Sequence, residues 1–368
     1  MKQYKYIYQH EQWPNFFWDK EKILSLLAKI QFAKGLLFGK MTTIGLNLQE
    51  TANLDTITQD IIKSSEIEGE ILNLKEVRSS VAKRLGINIE DTVTTKRNID
   101  SIVEMMFDAI HNYNSELTTN RLFAWHNSLF PNGYSGLIKI KTAAFRTEDS
   151  GPMQVVSGAI GRETIHYEAP SAETIEMEMK RFLNWVNHDI SQNIIIKSAI
   201  AHLWFVTLHP FEDGNGRIAR TITDMLLAKS DNSSKRFYSM SYQIQQTKNS
   251  YYDILEKTQK GSLDITDWLK WFLNCLLSAI KNSDILLSKI LQKHAFLQKC
   301  SEHKLNPRQI LMINMLFDNF KGNLTSSKWA KICKCSQDTA GRDIDYLLKN
   351  KILKKIGDGR STHYVIYG

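Results

Sequence analysis

His209-Pro210-Phe211-Glu212-Asp213-Gly214-Asn215-Gly216-Arg217-Ile218-Ala219-Arg220 sets an imidazole, a carboxylate four residues on, a glycine-rich turn and two arginines three apart in one short stretch. The apolar pattern predicts a helix from Asn215 to about Lys229, so the turn opens into a helix N-terminus. Such an end offers unpaired N–H groups and the positive end of the helix dipole, which suit a phosphate. Glycines at 214 and 216 allow close backbone approach. Arg217 and Arg220 share a helix face and can grip further phosphate oxygens. Asp213 is a fair Mg2+ ligand, because that ion prefers a carboxylate together with substrate phosphates. His209 then has no phosphate to hold, and a neutral imidazole beside one is a candidate general base.

Two other readings of these residues fail on context. Gly214-Asn215-Gly216-Arg217-Ile218-Ala219 fits G-x-G-x-x-A, the dinucleotide fingerprint, but that motif follows a strand and the residues before His209 read as helix. The chain has no G-x-x-x-x-G-K-S/T, which excludes a P-loop. A plain polar turn rarely needs His, Asp, Asn and two Arg together.

The twelve residues resemble, without departure, the H-P-F-x-D/E-G-N-G-R-x-x-R signature of the Fic family. The resemblance implies a mainly α fold with a small β-hairpin flap, Mg-ATP as co-substrate, and AMP transfer to Ser, Thr or Tyr of a protein. It implies that His209 takes the proton of the target hydroxyl and that Asp213 holds Mg2+. Backbone N–H groups at Gly214–Gly216, with Asn215, would form the anion hole, and Arg217 and Arg220 would hold the distal phosphates. The chemistry is physically coherent: attack at the α-phosphorus expels pyrophosphate, and positioning with charge neutralisation carries most of the barrier.

Ser64-Ser65-Glu66-Ile67-Glu68-Gly69 resembles the family's inhibitory helix motif, S/T-x-x-x-E-G/N, with Ser64, Glu68 and Gly69 at its named positions. A carboxylate near a helix C-terminus is unfavourable with the dipole, so Glu68 needs a partner. The resemblance names Arg220, which would be diverted from the ATP γ-phosphate, and a mostly inhibited wild type is expected. Tyr6-Ile7-Tyr8-Gln9-His10-x-x-Trp13-Pro14 also looks like the N-terminal segment of one bacterial Fic subgroup, which extends the likeness over most of residues 1–300.

Elsewhere the first 300 residues read as helical. Aromatic residues 4–18 form an expected extended arm, with Asp19 capping a helix over about 20–45. Further helices are expected over 55–68, stopped by Gly69, and over 73–84, 95–114, 171–188, 191–208, 247–259 and 262–300. Met153-Gln154-Val155-Val156-Ser157 and Thr164-Ile165-His166-Tyr167, with Gly158, Gly161 and Arg162 between them, predict a β-hairpin. It stands where the family has its flap, so Met153–Val156 are candidates to hold a target peptide by strand addition. Tyr252 and Gln259 fall in the family's adenine-contact region, although many members have Asn in place of Gln259. His202, seven residues before His209, reads as a packed core histidine.

Charge separates the end of the chain from the rest. Residues 304–368 hold 12 Lys/Arg against 5 Asp/Glu, while the 303 residues before them hold 35 basic and 34 acidic groups. The tail reads as a helix from Asn306-Pro307 to about Phe320, a second capped by Thr325, a third capped by Ser336, and a hairpin turning at Gly357-Asp358-Gly359. Three helices and a β-wing make a C-terminal winged helix. Gln337, Asp338, Thr339, Arg342, Lys354, Lys355 and Arg360 are candidate DNA contacts, and a target-docking or dimerisation module is the equal alternative, because winged helices serve both. The expected division is 1–114 (arm and helices with the inhibitory motif), 115–303 (catalytic core) and 304–368 (winged helix).

At 42% apolar and 23% charged residues, the composition allows a sizeable core, and no apolar run reaches a membrane span of ~18 residues. The N-terminus does not read as a secretory signal, and Cys275, Cys300, Cys333 and Cys335 do not form a disulfide or zinc framework. A cytoplasmic bacterial nucleotidyltransferase is expected. Its partners would be a target protein, itself by auto-modification, and DNA through 304–368, with a homodimer among the assemblies and no membrane. The competing classes are a nucleotide-sensing transcriptional regulator and a de-AMPylase using the same site.

Overall fold

The computed structural model describes residues 4–89, 92–158, 162, 164–300, 303–317, 320 and 322–367. The expected Gly161 of the hairpin turn lies outside them. The protein is mainly helical, with three two-stranded antiparallel hairpins among the described residues. It forms two compact units, Met1–Asp284 and Ile285–Gly368. Residues 1–114 share a unit with the helices that follow them. The reason is packing: the early helices bury their apolar faces against later ones.

In the first unit, Asp19 accepts from Lys22 N and caps α1 (Lys20–Thr43). Helix α2 (Leu46–Ile67) begins well before the position read from the sequence. Asn73 caps α3 (Leu74–Leu85), and α4 (Arg97–His111) and α5 (Thr119–Leu129) follow. A short hairpin, β1 (Tyr134–Ser135) and β2 (Ile138–Lys139), precedes the expected one, β3 (Gln154–Ser157) and β4 (Thr164–Glu168). Then come α6 (Ala172–His188), α7 (Ile194–Leu208), α8 (Asn215–Asp231), α9 (Met240–Gln246), α10 (Lys248–Gln259) and α11 (Thr266–Cys300), the last running past Asp284.

Helix α7 is buried at every position from Ile195 to Leu208. A helix that is apolar all round belongs at the centre of a fold. It packs along α8, which in turn meets α4, α5, α2 and α9. The aromatic arm is docked through Tyr6, Ile7 and Trp13, all buried, with Tyr6 edge-on to Tyr167 of β4 at 5.1 Å. The arm is not extended throughout as expected: it turns as a 3-10 turn at Ile7–Gln9 and again over residues 11–14, where Trp13 N donates to His10 O at 2.9 Å and Asn15 N to Gln12 O at 2.7 Å. Among the described residues no helix is long and apolar enough to cross a membrane, and the four cysteines are free.

The second unit places α12 (Pro307–Phe317), α13 (Ser326–Ile332) and α14 (Gln337–Lys349) with the hairpin β5 (Leu353–Ile356) and β6 (His363–Ile366). Residues 318, 319 and 321, at and beyond the expected end of its first helix, lie outside the described ones. Met312, Ile313, Trp329, Ala340, Ile344 and Leu347 are its fully buried core. Lys354 and Lys355 are exposed on β5, Gln337 donates to Ser327 Oγ at 3.0 Å, and Arg342 Nε points back to Asp338 O at 3.4 Å.

Candidate active site

The site is built where α7 ends and α8 begins. His209 ends α7 in the left-handed region, φ 49°, with its N–H still bonded to Phe205 O at 3.0 Å. That conformation is uncommon without glycine and turns the imidazole off the helix axis. The carbonyl of Val206 lies 3.0 Å from His209 Nδ1. A carbonyl can only accept, so Nδ1 carries the proton and Nε2 keeps its lone pair. Burial holds the His209 pKa below the ordinary histidine value, against the opposing pull of the Val206 carbonyl, so the imidazole is neutral at pH 7.

Residues 210–214 are clamped from both sides. Asn215 is buried, with Oδ1 accepting from Phe211 N at 2.9 Å and Nδ2 donating to Phe211 O at 2.8 Å. Its amide is thus engaged in holding the loop, and its backbone N–H lies in the first turn of α8. Gly214 enters α8 at φ 82°, and a Cβ there would meet the Phe130 ring at 2.9 Å. Asp213 stays 43% exposed; its carboxylate accepts from Gly214 N and from Ser135 Oγ, and Arg217 Nη2 stands 4.0 Å away.

Both arginines are buried, and each meets a carboxylate from the end of α2. Arg220 is 2% exposed; Nη2 donates to Glu68 Oε1 and to Ser64 O, both at 2.8 Å, and Nε to Ser64 Oγ at 2.9 Å. Burial alone would lower its pKa, but the Glu68 carboxylate outweighs that and raises it. Arg217 donates to Glu70 Oε2 at 2.6 Å and lies over the Phe130 ring at 4.8 Å. Arg217 Nε and Arg220 Nη1 are buried without a hydrogen-bond partner. Glu68 sits directly against Gly216: a Cβ on that residue would collide with Glu68 Oε1. The carboxylate therefore fills the space over the first turn of α8, where the helix favours an anion.

Three positioning residues were not legible in the sequence. Arg146, buried, donates from Nε to His209 O at 2.8 Å and from Nη2 to Pro170 O and to Leu208 O at 3.4 Å. It places a cation on the last carbonyls of α7, where the dipole favours one. His126, fully buried and stacked on Phe211 at 4.2 Å, contacts Asp213 O through Nε2 at 3.2 Å and accepts from Ala143 N at 3.1 Å. Burial lowers its pKa to about 4. Ser135, on β1, holds the Asp213 carboxylate. None belongs to a local motif, so the only signal for them is three-dimensional.

The remaining expected residues divide. Tyr252 is 38% exposed and donates to Ile67 O at 3.2 Å, next to Glu68 in the chain. Gln259 is instead 5% exposed, with Nε2 directed at Thr207 Oγ1 and Val206 O at 3.4 and 3.5 Å. It braces α7 from inside the fold and is not presented to the surface. On the flap, Met153 and Val155 pack against Tyr6 and Tyr167, Gln154 donates to Glu168 at 2.7 Å, and Val156 is 49% exposed. His202 is the packed core histidine expected, held by Thr223 and Tyr251 at 2.9 Å each, its pKa lowered to about 3 by burial.

Residues 116–227 match the Fic/DOC family, and residues 6–87 match a domain of unknown function, DUF4172. The chain is 24% identical over 232 residues to a Culex quinquefasciatus protein named protein adenylyltransferase Fic, covering 61% of this chain and 41% of that one. A Drosophila yakuba protein of the same name is 30% identical over 108 residues, 29% of this chain and 20% of its own. The chain thus spans less than half the length of these curated relatives. A Fic family protein of Desulfovibrio desulfuricans G20 shares the fold at TM-score 0.54 and 19% identity, covering 96% of this chain and 98% of that chain. The signature folded at the α7–α8 junction lies inside the segment 116–227, and that segment is a Fic/DOC domain.

Proposed function

We propose that this protein transfers AMP from Mg-ATP to a Ser, Thr or Tyr hydroxyl of a protein, and that Glu68 holds it in check. The observation that carries the reading is the first turn of α8. Gly216 puts no side chain into the place that the Glu68 carboxylate now fills, Arg217 and Arg220 flank it with buried unpaired N–H groups, and His209 stands beside it with a free Nε2. The curated name of the insect relatives supports the same chemistry.

In this reading the hydroxyl oxygen of the target attacks the α-phosphorus of ATP. The bond to the bridging oxygen of the β-phosphate breaks, pyrophosphate leaves, and the hydroxyl proton passes to His209 Nε2. The backbone N–H groups of Gly214–Gly216 and the two arginines bind the phosphates and offset charge as it develops. Asp213 fits a Mg2+ ion, because a single half-exposed carboxylate suits a metal that takes its other ligands from phosphates and water. Mg2+ would supply neutralisation of phosphate charge. Tyr252 lines the adenine end, and the half-exposed flap edge at Val156 takes the target segment.

Glu68 inhibits because its carboxylate already lies over the anion-binding turn and holds Arg220. Glu68→Gly is expected to raise self-labelling by about 10–100-fold, the range of an ordinary coupling between two sites. The check is intact mass after incubation with Mg-ATP. Glu68→Gly should gain one adenylyl group, wild type little, and Glu68→Gly with His209→Ala none. If Glu68→Gly gains nothing even with cell lysate as target, the transfer reading falls and a nucleotide-sensing regulator replaces it.

A further inference from the structure

We propose that Glu70 is a second inhibitory carboxylate, which holds Arg217 as Glu68 holds Arg220; this rests on the nucleotide reading of the site. Helix α2 ends with Gly69 N bonded to Glu66 O and Glu70 N to Ser65 O, both at 3.0 Å, and with Gly69 at φ 84°. This left-handed glycine stop reverses the chain within two residues. Glu68 and Glu70 thereby leave the turn as two prongs. Each meets one of two arginines three residues apart on α8, Glu68 at 2.8 Å and Glu70 at 2.6 Å.

The second pair has the character of the first. Arg217 is 8% exposed and lies over Phe130, so its guanidinium has little freedom, and the pairing takes Nη1 while buried Nε has no partner. Asp213, the other carboxylate near it, stays 4.0 Å away. Glu70 is therefore the group that neutralises this buried cation while the phosphate place is closed. A phosphate arriving at Arg217 must displace Glu70, as one arriving at Arg220 must displace Glu68. Removing Glu68 alone leaves Arg217 engaged, so the site then opens only in part. Full opening requires the segment 68–70 to lose both contacts.

The test is calorimetric titration of the full chain with Mg and α,β-methylene-ATP, which binds without transferring AMP. Four proteins are compared: wild type, Glu68→Gly, Glu68→Gly/Glu70→Gln and Glu68→Gly/Glu70→Ala. The Ala variant matters because a Gln amide oxygen can still accept from Arg217. Relative to Glu68→Gly, the Ala double variant is expected to bind about 5–10-fold tighter, and the Gln variant somewhat less, as for relief of one close charge pair. The thermal midpoint without nucleotide is expected to stay level or fall while affinity rises. A residue that merely supports the helix end would lower both. Equal, measurable affinity in Glu68→Gly and both double variants overturns the role of Glu70 and leaves the nucleotide site standing. No binding by any variant removes the nucleotide reading and this proposal together.

Discussion

His209→Ala in the Glu68→Gly background is expected to lower the rate of AMP transfer about 10³-fold, within the usual 10²–10⁴ contribution of a positioned base. The structure gives a reason to expect a large value. The ring is held by Val206 O at Nδ1, the backbone by Arg146 at the carbonyl, and the left-handed turn at 209 is set by both neighbours. The loss should lie in kcat, since His209 touches no phosphate-binding group, and the affinity for α,β-methylene-ATP should change less than about twofold. Burial holds the imidazole neutral to lower pH than a free histidine. The rate should therefore stay level as pH falls through the usual histidine value of about 6.5 and decline only below it. A rate that already halves at pH 6.5 would contradict the burial argument. Initial rates of protein labelling across pH, with a control for nucleotide affinity, check both statements.

Arg236→Leu is expected to destabilise the first unit by about 3–5 kcal/mol, the cost of leaving a buried charge without its partner. Arg236 is 1% exposed and pairs with Asp231 at 3.0 Å and Asp224 at 3.5 Å, whose carboxylates are equally buried. Asp231 keeps Lys34 at 2.5 Å and the Tyr238 hydroxyl at 2.7 Å when Arg236 is lost. Asp224 keeps neither: burial, then the nearby Asp60, raises its pKa, and Arg236 is the foremost of the groups that lower it and favour its charged form. Its other oxygen has no partner at all. Without Arg236 it must take up a proton or stay charged in an apolar place. The effect reaches the Glu68–Arg220 pair, because this network ties α8 to α2. Asp60 of α2 accepts from Ser239 Oγ and from Ser241 N at 3.2 Å, and Asn53 accepts from Arg236 N at 2.7 Å. Urea unfolding of Arg236→Leu measures the loss; a change under about 1 kcal/mol would show that the two carboxylates are satisfied without the arginine.

The helices that were legible in sequence are those with strong caps and long periodic faces, such as α6 with Ser171 and α14 with Ser336. Helices α5 and α9 and the strands β1 and β2 escaped because each is short, and short elements are held by tertiary contacts more than by pattern. Helix α2 starts earlier than its apolar rhythm predicts, because Asn47, Gln49, Glu50 and Thr51 weaken that rhythm, whereas the folded helix needs only one buried face. At the site, residues 209–220 were readable because a loop and one helix N-terminus carry most of the chemistry locally. Sequence could not show which way a side chain turns. Asn215 and Gln259 face inward onto backbone carbonyls, and Arg146, His126 and Ser135 arrive from elements far along the chain. Glu70 is separated from Glu68 by one glycine, and only the reversal at Gly69 explains why both point to α8.

The most direct test of the central claim follows the fate of each phosphate. Glu68→Gly is incubated with ATP carrying its label on the α-phosphate, or in parallel on the γ-phosphate, and the denatured protein is counted. The account predicts that the α-label stays on the protein, that the γ-label leaves in pyrophosphate, and that His209→Ala removes the retained label. Retention of the γ-label without the α-label would mean phosphoryl transfer and would contradict the assignment of His209, Arg217 and Arg220.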